Sequence, residues 1–434
     1  MRKKIAIVGS GISGLAAAHA LNDHADVTLF EAGSYFGGHT NTVEVTLPTK
    51  TGPVTHGIDT GFLVFNERTY PNLIKLFADL KVVTAKSDMS FSVQVPQKNS
   101  AIEWSGSNLN TVFAQRKNLV NPKFWSMLAD LRRFNALATS LAQSGEHTTL
   151  MQPLEDFLIE QRFSAAFRDW YLLPMLGCIW SCPTEQILKC RGATMLRFCH
   201  NHGLLQVTGR PQWWTVAGGA KHYVDKIIAN IADKRLNTPV HCITRNRDGV
   251  SLVTKESTEH FDKVVIATHS DQALKMLQMP SHVESNLLSA IKYQANVAVL
   301  HTDSSVLPKR RAAWAAWNYE NTVTELGASK NNRVCLHYLI NMLQPIPFEQ
   351  AVIVSLNPAK PIPNEHMIGS FDYAHPVFDR TAINAQAAMV QLQGKQHTYY
   401  CGAWMGYGFH EDGLKAGLAA ADRLLMDTEW KAVA

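Results

Sequence analysis

The stretch from Lys4 to His39 constrains the fold more than any other part of the chain. Ile5, Ala6, Ile7 and Val8 form the short apolar run that a strand buried on both faces requires. Gly9, Gly11 and Gly14 follow at the G-x-G-x-x-G spacing, and Ile12 to Asn22 has helical composition. The first glycine permits a tight turn, and the second lets a pyrophosphate approach the backbone. The third lets the helix pack on the strand, and the helix N-terminus offers free N–H groups to phosphate. A second strand, Val27 to Phe30, ends at Glu31, about 20 residues on, where a carboxylate accepts ribose hydroxyls. Together these predict a bound dinucleotide touching Gly9, Gly11, Ser13, Gly14, Glu31 and Ala32. The acid argues against a 2′-phosphate, which leaves FAD or NAD.

The continuation E-A-G-S-Y-F-G-G-H selects FAD. Its second glycine pair, Gly37-Gly38, resembles that of FAD proteins of the flavin amine oxidase and phytoene desaturase type, although the pair also reads as an ordinary loop. Those families carry Arg where this chain has His39, so the charge role of that Arg is not expected here.

At 434 residues the chain exceeds what one hydrophobic core organises, which predicts two domains. With 46% apolar and 18% charged residues it has globular composition and no bias towards disorder. A net charge of +5 is too mild to imply nucleic acid, though it suits an acidic membrane surface or an anionic substrate. The seven cysteines include no C-x-x-C pair and suit free thiols in a reducing compartment. Cys178 and Cys182, one helical turn apart, lack partners at zinc-site spacing, so packing is expected and no metal site. No apolar run reaches the ~20 residues of a membrane span. The expectation is a cytoplasmic protein, with contact at the inner face of the membrane if its substrate is a lipid.

Along the chain, Gly57 to Asn66 (G-I-D-T-G-F-L-V-F-N) places Thr60, Gly61 and Phe62 near the flavin by analogy with two-domain flavoproteins, with Asp59 bracing the turn. Asn72 to Leu80 reads as an amphipathic helix. From Ser87 to about His202 glycine is sparse and apolar periodicity long, as in a helix-rich substrate domain. Trp170, Tyr171, Trp180, Trp213 and Trp214 fill a core or line an apolar tunnel. Val216 to Ala220 precedes a helix from about Tyr223 to Ala232. Thr238 to Ile243 reads as a strand that sets the Val240 amide against adenine, and Asp262 to His269 as a strand ending at the cofactor near Ala267. Residues 1–86, 203–290 and 395–434 are therefore expected to form the FAD-binding domain. Residues 87–202 and 291–394 are expected to form the substrate domain. The class is α/β, a Rossmann-like FAD fold of the amine oxidase type with a discontinuous, helix-rich α+β second domain.

The C-terminal stretch, strand Tyr399 to Gly402 and then A-W-M-G-Y-G-F-H-E-D-G-L, predicts a helix from about Asp412 to Leu425 facing the flavin's pyrimidine end. Gly402, Asp412, Gly413 and Leu414 are assigned to the cofactor, and Trp404, Tyr407 and His410 are the catalytic candidates. This stretch, with G-F-L-V-F-N-E-R-T-Y-P-N, L-L-Q-V-T-G-R-P-Q-W and A-A-W-A-A-W-N, resembles the flavin domain at the N-terminus of plant cyclopropane fatty acid synthases and its stand-alone bacterial relatives. The resemblance implies a lipid-linked role beside a separate methyltransferase, whose domain this sequence lacks. Three functions follow from it: an oxidoreductase acting on unsaturated or modified acyl chains, with double-bond isomerisation as a variant; an amine oxidase; and a non-catalytic FAD-binding partner of a lipid methyltransferase. The aromatic stretch Phe124 to Trp180 and Lys309-Arg310-Arg311, near Trp314 and Trp317, are the expected membrane-docking elements.

Overall fold

The computed structural model describes residues 2–96, 101–144, 152–180, 184–190, 192–206, 209–321 and 334–427. Strand β1 (Lys4–Val8) is flanked in one parallel sheet by β2 (Asp26–Phe30) and by Lys263–Ile266. Asp233–Arg235 and Thr398–Tyr400 add the two edges, so this sheet draws strands from three separated parts of the chain. Helix α1 (Ile12–Leu21) follows β1 and is buried almost all round, because the C-terminal helix His410–Asp427 packs on its other side. The two helices touch at backbone distance: a Cβ at Gly417 would sit 2.1 Å from the Ser13 carbonyl oxygen.

A seven-stranded mixed sheet forms the second layer system, in the order Met367–Val377, Lys292–His301, Ile353–Leu356, Cys335–Leu339, Trp317–Glu320, Phe91–Val95, Ile102–Ser105. Its pairing of Trp317–Glu320 with Phe91–Val95 is parallel and joins segments more than two hundred residues apart. Helices between Pro122 and Asn201 accompany it. The part expected to be a helix-rich α+β domain accordingly combines these helices with a sheet.

Several expected elements shift. The helix after Val216–Ala220 runs Lys221–Ile228, entered through Gly218 and Gly219, both at positive φ. The ladder after Thr238 begins only at Cys242, leaving Thr238–Val240 extended but unpaired in any sheet. Asn72–Leu80 is a helix over Pro71–Asp79. Most of the aromatic stretch proposed for docking is core: Phe124, Phe134, Phe157, Phe167, Trp170 and Trp180 are buried, and only Trp125 is exposed. Cys178 is buried, and every described cysteine is a free thiol, with Cys190 and Cys242 only half-buried; Cys182 lies outside the described residues. Among the described residues no helix is long and apolar enough to cross a membrane.

Candidate active site

The carboxyl ends of β1, β2 and Lys263–Ile266 open onto a cavity of about 720 Å³ that runs between the two sheets. Its near end is built from glycine backbone. Gly9 turns at φ 100°, and a Cβ at Gly14 would lie 1.9 Å from the Gly9 carbonyl oxygen, so α1 closes directly on the turn. A Cβ at Gly11 would meet no protein atom within 4 Å and would project into the cavity. Gly37 and Gly38, both at positive φ, pack against this turn: the Gly37 N–H donates to the Ser10 carbonyl, and Gly38 abuts the Gly11 Cα. The second glycine pair therefore packs on the first glycine turn and lines the cavity with it.

Glu31 lines the cavity with its carboxylate held in place. It accepts from the Ser10 N–H at 2.9 Å, the Ser10 hydroxyl at 2.5 Å and the Gly33 N–H at 2.7 Å. A carboxylate offers about four acceptor sites, so one is left for a ribose. Ser10 was missed by the sequence reading, since its role depends on a fold-back from Gly37. Ile12, Ser13, Ala32, Val240 and Ala267 also line this end, with Pro239, Gln272, Lys275 and Met276 closing it.

Further in, Gly61, Phe62, His39, Gly402, Trp404 and His410 line the cavity. Gly61 has no room for a side chain: a Cβ there would strike the His39 carbonyl oxygen at 2.2 Å. Asp59 braces its turn as expected, accepting from Thr42, from the Ala220 N–H and from Gln344. Burial pushes it up to about 7, against the pull of those donors. His410 stacks on Phe62 with ring centroids 3.9 Å apart, and its Nε2 meets the Tyr223 hydroxyl at 2.7 Å and the Thr40 hydroxyl at 3.3 Å. Burial lowers His410 to about 3, so the imidazole is neutral.

Five assigned residues stand behind this wall. Thr60 is turned away, bonded to the Tyr373 hydroxyl and the Asn41 carbonyl. Asp412 bends back to accept from the Tyr407 and Phe409 N–H groups, which starts the helix at His410 instead of Asp412. The Gly413 N–H is consequently bonded to the Phe409 carbonyl, and Leu414 is core. Tyr407 does not line the cavity, and Trp404 is anchored by its indole N–H to the Thr268 carbonyl at 3.0 Å. Of the three catalytic candidates, Trp404 and His410 line the cavity, and of these two only His410 is a titratable group, tied to the Tyr223 hydroxyl.

The sequence reading also missed a group of imidazoles. His39 stacks on Tyr373 and lies with its ring 5.3 Å from His375 and 6.5 Å from His269, which itself stacks on Tyr293. Burial lowers His375 to about 4 and holds His39 and His269 below the usual range. His39 thus substitutes a neutral ring for a cation. Pyrophosphate would be held by the N–H groups of the glycine turn and of α1, as Lys275 is the only Lys or Arg of the lining among the described residues.

Away from the cavity, half-buried Glu320 and buried Cys335 and His337 cluster between adjacent strands of the large sheet. Their hydrogen bonds form a chain. The Asp303 N–H donates to His301 Nδ1, so neutral His301 donates from Nε2 to the Ser355 hydroxyl; this hydroxyl meets His337 Nδ1, and His337 Nε2 meets Glu320. The chain satisfies these polar groups from within the protein.

This glycine turn, the acid at Glu31 and the cavity are those of an FAD-binding flavoprotein, built here around a five-stranded and a seven-stranded sheet. The family model for flavin-containing amine oxidoreductases matches residues 12–334, and the chain belongs to that family. Solved structures of the same fold include a fatty acid isomerase producing CLA from P. acnes, at 16% identity, 98% of this chain, 99% of that chain and TM-score 0.66. Cyclohexylamine oxidase from Brevibacterium oxydans matches at 16% identity, with 98% and 99% covered and TM-score 0.67. A putrescine oxidase with bound putrescine matches at 14% identity, with the same coverage and TM-score 0.66. No curated protein matches the chain by sequence. The protein is an FAD-dependent oxidoreductase.

Proposed function

We propose that the protein moves hydride between FAD and an unsaturated or modified fatty acyl chain. The observation that carries this is the lining of the cavity remote from Glu31. Met89, Ile179, Leu204, Trp317, Tyr338 and Phe409 face it, and among the described residues the charged side chains of the lining, Glu31 and Lys275, belong to the nucleotide end. An apolar chain gains from such burial, at roughly 25 cal/mol per Å². An alkylammonium would find no carboxylate there, among the described residues, to offset its desolvation.

Bound FAD supplies a hydride acceptor and donor at N5 of its ring. Gly11, Ser13, Glu31, Gly37 and Gly38 would hold its nucleotide half, and His39, Gly61, Phe62 and Gly402 would surround the ring. Trp317 and Tyr338, packed edge to face at 4.8 Å, would fix the acyl chain and exclude water. His410, Tyr223 and Thr40 form a neutral relay that holds a proton without placing charge beside the ring. The resemblance to the cyclopropane synthase flavin domain supports the acyl reading, and with it work beside a separate methyltransferase.

Family membership favours amine oxidation as the second reading. The two separate on product analysis. Incubation with phospholipids carrying cis-unsaturated chains should yield shifted double bonds in the recovered fatty acid methyl esters without a co-reactant, added ones when oxygen or another electron acceptor is supplied, or removed ones when a reductant is supplied. Unchanged chains, together with peroxide released from a water-soluble amine, would overturn the proposal.

A further inference from the structure

The exposed apolar side chains of this molecule are not scattered evenly. Leu109, Leu119, Val120 and Trp125 stand close together in sequence, with Val120 84% and Trp125 49% exposed. Their exposure is held by the fold. The Trp125 indole N–H donates to the Leu119 carbonyl at 2.9 Å, and the Asn121 carboxamide caps the following helix through the Lys123 N–H. Phe113 packs on Trp125 and Phe124 from beneath. The turn therefore presents Leu119 and Val120 outward in a fixed shape.

Basic side chains ring this crest. Arg116, Lys117 and Lys123 are exposed within it, and no Asp or Glu occurs from Gly106 to Ala129. Lys309, Arg310 and Arg311 join from the other chain segment, because the turn Arg311–Ala313 packs on the short helix Leu109–Val112. Arg310 pairs with buried Glu103, which also accepts the Lys309 N–H, and Arg311 lies over the Trp314 ring. Exposed aliphatic groups at the summit, tryptophan at the flank and cations around them match the layers of an anionic bilayer: acyl chains, interface and headgroups. A nucleic-acid surface would have no use for the two aliphatic side chains at the summit.

We propose that this face docks the protein on an anionic phospholipid membrane, with Leu119 and Val120 entering the interface. The proposal goes beyond the acyl-chain reading and rests on different residues from the cavity. It is tested with FAD-loaded protein and vesicles of phosphatidylcholine with or without phosphatidylglycerol. Co-sedimentation should require phosphatidylglycerol and fall at high salt. Lys123→Glu with Lys309→Glu should weaken it about tenfold or more, and Leu119→Ser with Val120→Ser should weaken it at every salt concentration. Flavin absorbance and melting temperature should stay unchanged in both double variants, whose altered side chains are exposed. Failure to bind anionic vesicles at low salt, or binding indifferent to either double variant, overturns the proposal and leaves the face to an acidic protein partner. Membrane binding without turnover of any acyl chain would overturn the function reading alone.

Discussion

Gly11 and Gly14 belong to one fingerprint but carry different tasks. A side chain at Gly14 would collide with the Gly9 carbonyl and separate α1 from its strand, whereas one at Gly11 meets only the cavity. Gly11→Val should therefore fold with a near-normal melting temperature and lose FAD, while Gly14→Val should fail to fold; flavin absorbance and thermal melting distinguish the two. His410 acts in another way. It is neutral, stacked on Phe62 and bonded to Tyr223, so His410→Ala should keep FAD but change the flavin's reduction potential or its rate of reduction. Spectroelectrochemistry reads the potential, and an unchanged potential and rate would make His410 a packing residue. The glycine fingerprint is legible in the sequence because backbone chemistry is local there. His269 and His375 are not: they reach His39 from a strand end and from a distant sheet, with no shared motif.

At the scale of elements, carboxylates decide where helices start and how layers join. Glu411, just inside the C-terminal helix, accepts from the Asn72 and Leu73 N–H groups and so caps Pro71–Asp79 from outside. Asp412 folds back on Tyr407 and Phe409. The D-G-L pattern reads as a helix start only because this back-folding is invisible in sequence. Arg245 and Glu284 form a buried ion pair at 4% side-chain exposure each, with the Tyr400 hydroxyl on the same carboxylate at 2.6 Å. Desolvation of Glu284 is outweighed by Arg245 and Tyr400, which hold it down at about 2. Arg245→Ala strands that charge, and should cost about 3–5 kcal/mol in denaturant unfolding. A cost near zero would show that solvent reaches the pair.

For the molecule as a whole, the strand–turn–helix opening and the strand at Lys263–Ile266 were legible, since parallel strands buried on both faces read as apolar runs. The seven-stranded sheet was not, because its central partners are non-local: Phe91–Val95 meets Trp317–Glu320 only after the chain has completed most of the nucleotide sheet. The buried histidines give the folded protein a pH signature. His410 at about 3, and His375 and His301 at about 4, stay neutral where their unfolded counterparts protonate near 6.5. The unfolded state thus binds more protons, and stability falls as pH drops from 6.5 towards 4, by up to about 1.4 kcal/mol per unit for each histidine. Asp59, raised to about 7, keeps its proton in the fold below that pH and works in the opposite sense, losing stability as pH rises towards 7, but it is one group against several. Denaturant midpoints should decline steadily across that window and level off above it; a midpoint that rises on acidification would mean that solvent reaches these rings.

The central claim, an FAD enzyme whose apolar cavity accepts an acyl chain, is met most directly by anaerobic titration of the purified yellow protein. Phospholipids and fatty acids with cis double bonds, alkylamines and reduced nicotinamides are added in turn while the flavin absorbance is followed. The account predicts bleaching or a perturbed flavin spectrum with unsaturated lipid and none with amines. Rapid bleaching by an alkylamine, with a spectrum indifferent to every lipid, would contradict it.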